Sequence, residues 1–235
     1  MDFLHSVVAW FSDPTHWQGP DGIPTRLTEH VEVSAESVAI GALIALPIGI
    51  GLGHIGRFGD LAINLSNVGR ALPSFGILVL AFLIFGLGNT PIVVALVLLA
   101  VPPMVTNSYV ALLNVDRDVK DAAKGMGYRD LAQLVRVELP LAVPLIMAGI
   151  RTSAVQVVAT ATLAAFIAGG GLGRYIVDGF ATFDFTKLFA GAVLVAALAL
   201  ATELSLAGLQ WLLVPRGIRS LTAPAMRRRP TFKTA

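Results

Sequence analysis

The chain reads as an all-α integral membrane protein, and three features of its 235 residues predict that class. Hydrophobic residues make up 55% of it and charged residues 14%, a balance far more apolar than that of ordinary soluble domains. The mean hydropathy is +0.76. Residues 71–115 contain no Asp, Glu, Lys or Arg, enough uncharged chain for two membrane spans of about 20 residues each.

The elements follow in order from apolar runs and their breakers. Phe3, Leu4, Val7, Val8 and Phe11 recur at helical spacing beside Trp10, which predicts a short helix lying in the membrane interface. About five spans are expected after it, near residues 35–55, 72–87, 91–113, 141–168 and 188–214. Gly86, Leu87, Gly88, Asn89, Thr90 and Pro91 form the turn that divides the long uncharged run. The domain organisation expected is an N-terminal interfacial or extracytoplasmic segment over 1–32, a transmembrane domain over 33–215 and a basic cytoplasmic tail over 216–235. The start of the chain lacks a basic leader and a long apolar segment, so no cleaved secretory signal is expected.

An odd number of spans puts the two termini on opposite sides, and Lys/Arg placement chooses between them. With the N-terminus outside, thirteen basic residues fall on the cytoplasmic side: Arg57, Arg70, Arg117, Lys120, Lys124, Arg129, Arg136, Arg216, Arg219, Arg227, Arg228, Arg229 and Lys233. Three fall outside, Arg26, Arg174 and Lys187. The basic tail beside anionic lipid needs no nucleic acid to explain it.

Several chemistries are excluded by residue type. The chain has no cysteine, hence no disulfide, thiol nucleophile or cysteine-ligated metal, and His5, His16, His30 and His54 form no close ligand pair. Gly169 to Gly173 imitates a phosphate cradle but lacks the preceding strand, so a tight re-entry of the chain is the better account. No GxxxxGK[ST] sequence occurs, which assigns any ATP-driven motor to a separate polypeptide.

Within the spans, Arg151 and Glu203 each need a partner or a watery surface, because a lone charge at the centre of a bilayer costs about 2.5–3.5 kcal/mol or more. They are read either as a gate or pathway element or as a structural ion pair. Thr152, Ser153, Ala154, Ala159, Thr160, Ala161 and Thr162 make the fourth span a packing helix, a dimer face or a pore lining, and Gly49 and Gly53 form a GxxxG in the first. Phe75, Phe82, Phe85, Tyr109 and Phe166 offer ring faces to a quaternary ammonium, with core or lipid packing as the competing account.

The most patterned segment is the polar connection over residues 116–140, too long for a simple turn. Asp116 is placed as the N-cap of a short helix whose apolar face is Val119, Ala122, Ala123 and Met126, with Gly125 and Gly127 ending it. A second helix is expected with Asp130 as its cap and Leu131, Leu134 and Val135 on one face, and Pro140 near the start of the next span. Such a unit presents small residues and a Met to a partner's groove, or serves as an amphipathic connector; pattern alone leaves both open.

Asp121-Ala122-Ala123, then Gly127, then Val137 and Leu139-Pro140 resembles the EAA loop of binding-protein-dependent ABC importer permeases. Asp121 stands where that family usually has Glu, and Val137 where Ile is common. The resemblance implies that Asp121, Ala122, Ala123, Lys124, Gly125, Met126, Gly127, Val137, Leu139 and Pro140 couple the permease to a cytoplasmic ABC ATPase. Arg70-Ala71-Leu72-Pro73-Ser74, Leu87-Gly88-Asn89-Thr90-Pro91 and Asn107-Ser108-Tyr109 are similar to segments of the glycine betaine, carnitine and choline permeases. Gly169-Gly170-Gly171-Leu172-Gly173-Arg174-Tyr175-Ile176 is shared with methionine importers as well. The resemblance thus implies a type I importer permease with no cofactor of its own, ATP being bound by the ATPase. Its other partners would be an extracytoplasmic solute-binding protein and a second permease, identical or homologous. A methionine, taurine or phosphonate permease is the nearest alternative. An ion-coupled secondary carrier would require intramembrane carboxylates, for which Glu203 is the good candidate, and a non-transporting scaffold would use the loop for docking alone.

Overall fold

Stretches of Val, Leu, Ile and Ala broken by Gly, Pro and Asn fold here as helices, and no strand forms among the described residues. The computed structural model describes residues 2–56, 64, 67, 73–167 and 169–214. The helices are α1 (Asp2–Ser12), α2 (Ile23–Ile55), α3 (Ser74–Phe85), α4 (Asn89–Leu113), α5 (Arg117–Gly125), α6 (Asp130–Gln133), α7 (Leu139–Ala161), α8 (Gly173–Ala181) and α9 (Phe185–Leu213). Among the described residues, four helical stretches are long and apolar enough to cross a membrane: α2, α4, the continuous run Asp130–Ile167 and α9. The expected second span appears as the shorter apolar α3, and its start at Leu72 lies outside the described residues. So do Arg57, Arg70, Ala71, Ala168 and the basic tail over 216–235.

Two expectations are corrected. The first span is longer than 35–55, because helix α2 runs unbroken from Ile23 through the polar residues Arg26, Glu29, Glu32 and Glu36. Hydropathy marks where a helix prefers lipid and is silent on where its backbone hydrogen bonds end. Asp130 is not a cap: Arg129 occupies that position, and Asp130 lies in the first turn of a helix that does not stop before the next span. It passes through one π-helical turn, Leu134–Glu138, in which the Leu139 amide donates to the Leu134 carbonyl. That wide turn lets the chain continue through Pro140, whose ring and missing N–H would otherwise break an α-helix.

The core is centred on α4, which packs against α2, α3 and α7, while α9 packs on α7 and α8 and carries α1. Leu96, Met104, Leu112 and Val157 are fully buried. The buried side of α2 is a stripe of small residues, Ser34, Ser37, Gly41, Ala45, Gly49 and Gly53, whose glycines lie against α4. A Cβ on Gly49 would stand 2.7 Å from the Val105 carbonyl oxygen, and one on Gly53 would stand 2.7 Å from Leu112 Cβ. The GxxxG is therefore the seam between two helices of one chain. In the fourth span Ser153 and Ala154 are buried, and Ser153 Oγ donates to the Ala100 carbonyl at 2.9 Å, so this face packs inward on α4.

Helix α1 buries Val7 and Trp10 and leaves Phe3, Leu4 and Val8 exposed. Trp10 stacks on His16 with ring centroids 4.1 Å apart and meets the edge of Tyr175. Much of α9 is outward-facing apolar surface, as a lipid-facing helix requires.

Candidate functional site

The loop expected to dock a partner is built from its own local signals. Asp116 caps α5, its side chain accepting from the Asp118 amide at 2.9 Å, as the sequence predicts. Gly127 adopts φ +84°, the left-handed conformation that ends the helix cleanly. Within α5, Ala123 alone is buried; Asp121, Ala122, Lys124 and Gly125 are exposed, as are Met126 and Gly127 just beyond it. Met126 is 71% exposed and Val119 39%, so the expected apolar face is turned away from the chain's own bundle except at Ala123. Val137, Leu139 and Pro140 are half-buried at the base of the long helix.

What fastens this exposed helix to the bundle is a polar cluster that the motif reading passes over. Glu138, in the π-helical turn, is 1% exposed. Its Oε1 accepts from Gln133 Nε2 at 2.7 Å, and its Oε2 lies 3.0 Å from His54 Nδ1 and 3.7 Å from Lys120 Nζ. An ionised carboxylate only accepts, so His54 Nδ1 carries the proton in this contact. Lys120 Nζ also donates to the Leu112 carbonyl at 2.9 Å, in the last turn of α4. One buried carboxylate thereby joins α5, the π-helical turn and the end of α2, and Lys120 carries the link on to the end of α4. Beside it is a cavity of about 380 Å³ lined by His54, Ile55, Lys120, Lys124, Asp130, Gln133 and Glu138. The signal in the sequence is an acid flanked by Val137 and Leu139, immediately before α7.

The remaining candidates fall into separate places. Arg151 and Glu203 pair between α7 and α9, and Arg151 Nη1 also donates to Gln210 Oε1 at 2.6 Å. Gln210 Nε2 in turn donates to the Pro144 carbonyl at 3.3 Å. Phe75 and Phe166 meet edge to face with centroids 5.6 Å apart, and both are about half exposed. Phe82 is half-buried on α3. Tyr109 is buried in the α2–α4 core, its backbone against Gly53, so its ring is not brought to the Phe75–Phe166 pair.

At the opposite end of the bundle the glycine segment makes the expected tight turn. The Gly171 amide donates to Glu29 Oε2 at 2.7 Å, and Gly171 has φ +85° with His30 packed beneath it. His30 is buried with Nε2 2.9 Å from the Val158 carbonyl oxygen. Tyr175 Oη donates to the Asp21 carbonyl at 2.6 Å, and burial, reinforced by Asp21 and Glu29 against the opposing charge of Arg26, pushes its phenol up to about 12.

The molecule is thus a multi-pass helical membrane protein that carries, at one end of its bundle, a short exposed helix tied to three others through buried charge. The chain belongs to the family described as binding-protein-dependent transport system inner membrane component, whose model matches residues 45–217. It is 38% identical over 193 residues to the choline transport system permease protein OpuBB of Bacillus subtilis (strain 168), covering 82% of this chain and 89% of that protein. To the carnitine transport permease protein OpuCB of Listeria monocytogenes it is 32% identical over 216 residues, covering 92% and 97%. Among solved structures it resembles a chain of the MetNI methionine ABC transporter in an inward-facing crystal form, with TM-score 0.71 at 21% identity, covering 86% of this chain and 99% of that one. The fold is that of a type I ABC importer permease.

Proposed function

We propose that the chain is the permease subunit of an ATP-driven importer for a small osmoprotectant of the glycine betaine, carnitine or choline class. It forms the translocation pathway and leaves ATP hydrolysis to a separate ATPase. The similarity to the choline and carnitine permeases, over most of the length of each protein, supports the solute class. The observation that carries the mechanism is the exposed apolar face of α5: Val119, and Met126 just past the helix end, face away from the bundle while Lys120 holds the helix to it. A partner groove that closes on such a knob moves whatever the knob is bolted to.

On this reading the loop and C-terminus are cytoplasmic and the N-terminus is outside, as the distribution of Lys and Arg favours. The cytoplasmic partner is an ABC ATPase, an external binding protein delivers the solute, and a second permease copy or homologue completes the pathway. Residues 33–215 act as the transmembrane domain, with 116–140 as its coupling loop. The carrier alternative is disfavoured by Glu203, which is committed to Arg151 and so is not a free intramembrane carboxylate.

The test is uptake of radiolabelled choline, carnitine and glycine betaine by cells expressing the chain with its ATPase and binding protein. Saturable uptake of at least one solute, lost when the ATPase is omitted, is expected. Uptake that persists without the ATPase, or responds to an ion gradient instead, contradicts the reading.

A further inference from the structure

We infer that Glu138 is a positioning residue that transmits movement of the docking helix to α2 and α4. The inference rests on the proposed role of the loop and assigns the link between loop and spans to a particular carboxylate outside the motif residues.

The geometry supports this in three ways. First, among the described residues α5 has little else to hold it: Ala123 is its one buried residue, and its side-chain link to the bundle runs through Lys120. Second, the contacts of Lys120 and Glu138 reach separate elements. Lys120 reaches the Leu112 carbonyl at the end of α4 and Glu138 Oε2, while Glu138 reaches His54 in the last turn of α2. Movement of α5 that keeps these contacts drags the ends of both spans. Movement that breaks them leaves a buried carboxylate without its cation, which is costly. Third, the cluster has somewhere to go. The cavity of about 380 Å³ beside it is lined by Lys124 and Asp130 together with Lys120, Gln133 and Glu138, so the cluster borders open space.

A neutral isostere separates the two functions of the residue. Glu138→Gln keeps the volume and the amide contact to Gln133 but removes the charge that holds Lys120. Lys120→Met removes the same link from the docking-helix side, where the side chain is 19% exposed and the substitution is less of a burden on folding.

The experiment uses the whole transporter, chain with ATPase and binding protein, in proteoliposomes. ATP hydrolysis, uptake of radiolabelled choline and glycine betaine, and retention of the ATPase on the purified chain are measured together. Glu138→Gln and Lys120→Met are expected to retain the ATPase and hydrolyse ATP within about twofold of the unaltered transporter, while solute moved per ATP falls about tenfold. The double substitution should be no worse than either single one. An unchanged solute-to-ATP ratio in Lys120→Met, or losses that simply add in the double variant, overturns the inference. If Glu138→Gln does not insert, Lys120→Met and His54→Ala carry the same comparison. Failure of the unaltered chain to retain any ATPase would instead overturn the proposed function, and is seen before any variant is made.

Discussion

Arg151 on α7 and Glu203 on α9 form an ion pair across two apolar helices, with Gln210 bonded to the same guanidinium and back to the Pro144 carbonyl. The pair ties α9, which otherwise buries few residues, to the rest of the bundle. Removing one partner strands the other charge in a low-dielectric setting, whereas removing both does not. Arg151→Ala should therefore lower the melting temperature of the detergent-purified protein by several degrees. Arg151→Ala combined with Glu203→Ala should recover part of that loss. Equal melting temperatures for the single substitution and the unaltered chain would show that the pair is no support.

The seam between α2 and α4 depends on absent side chains. A Cβ at Gly53 would press on Leu112 Cβ and the Tyr109 carbonyl oxygen, each at 2.7 Å, so Gly53→Val must push two helices apart. Overpacking of this kind costs about 1–3 kcal/mol, and the yield of monodisperse protein is expected to fall accordingly. Gly51, on the same helix, is the control, because a Cβ there would meet nothing within 4 Å. Gly51→Ala should be neutral or slightly stabilising, since Ala favours the helix by about 0.5–1 kcal/mol. Equal losses at both positions would place the tight contact elsewhere.

Tyr175 gives a pH-dependent handle at the other end. Its phenol is raised from 10.0 to about 12, chiefly by burial, so the folded state holds the proton more tightly than the unfolded chain. The resulting stabilisation is complete below pH 10 and is lost as pH rises toward 12. Tyr175→Phe removes the hydrogen bond to Asp21, at a cost of about 1 kcal/mol, and should also flatten the alkaline limb of the stability profile. An alkaline limb unchanged by Tyr175→Phe would assign that titration to other groups.

The helices themselves are legible because lipid demands long apolar runs, and the break between α3 and α4 falls at Gly86–Gly88, the first half of the expected turn, while Asn89 to Pro91 already belong to α4. Asp116 and Gly127 are readable for a different reason: capping and left-handed geometry are local, and residue type nearly decides them. Helix α2 outruns its hydropathy because Arg26 and Glu29 are satisfied by each other and by Gly171, contacts that a window average does not see. Glu138 is hidden for a stronger reason. Its partners His54 and Lys120 lie on other helices, and only the folded bundle brings them within reach of a buried acid. Tyr109 and Phe75 look alike in sequence, yet one is core and the other half exposed, because which face of a membrane helix meets protein is decided by neighbours far along the chain.

The chain has no cysteine, so Met126→Cys introduces one thiol at the exposed tip of the docking helix without competing sites. In oriented membrane vesicles, a membrane-impermeant maleimide should label that thiol from the cytoplasmic face alone. The partner ATPase should protect it, and a short bifunctional crosslinker should join the two chains there. Labelling from the external face, or labelling at the same rate with and without the ATPase, would contradict the account.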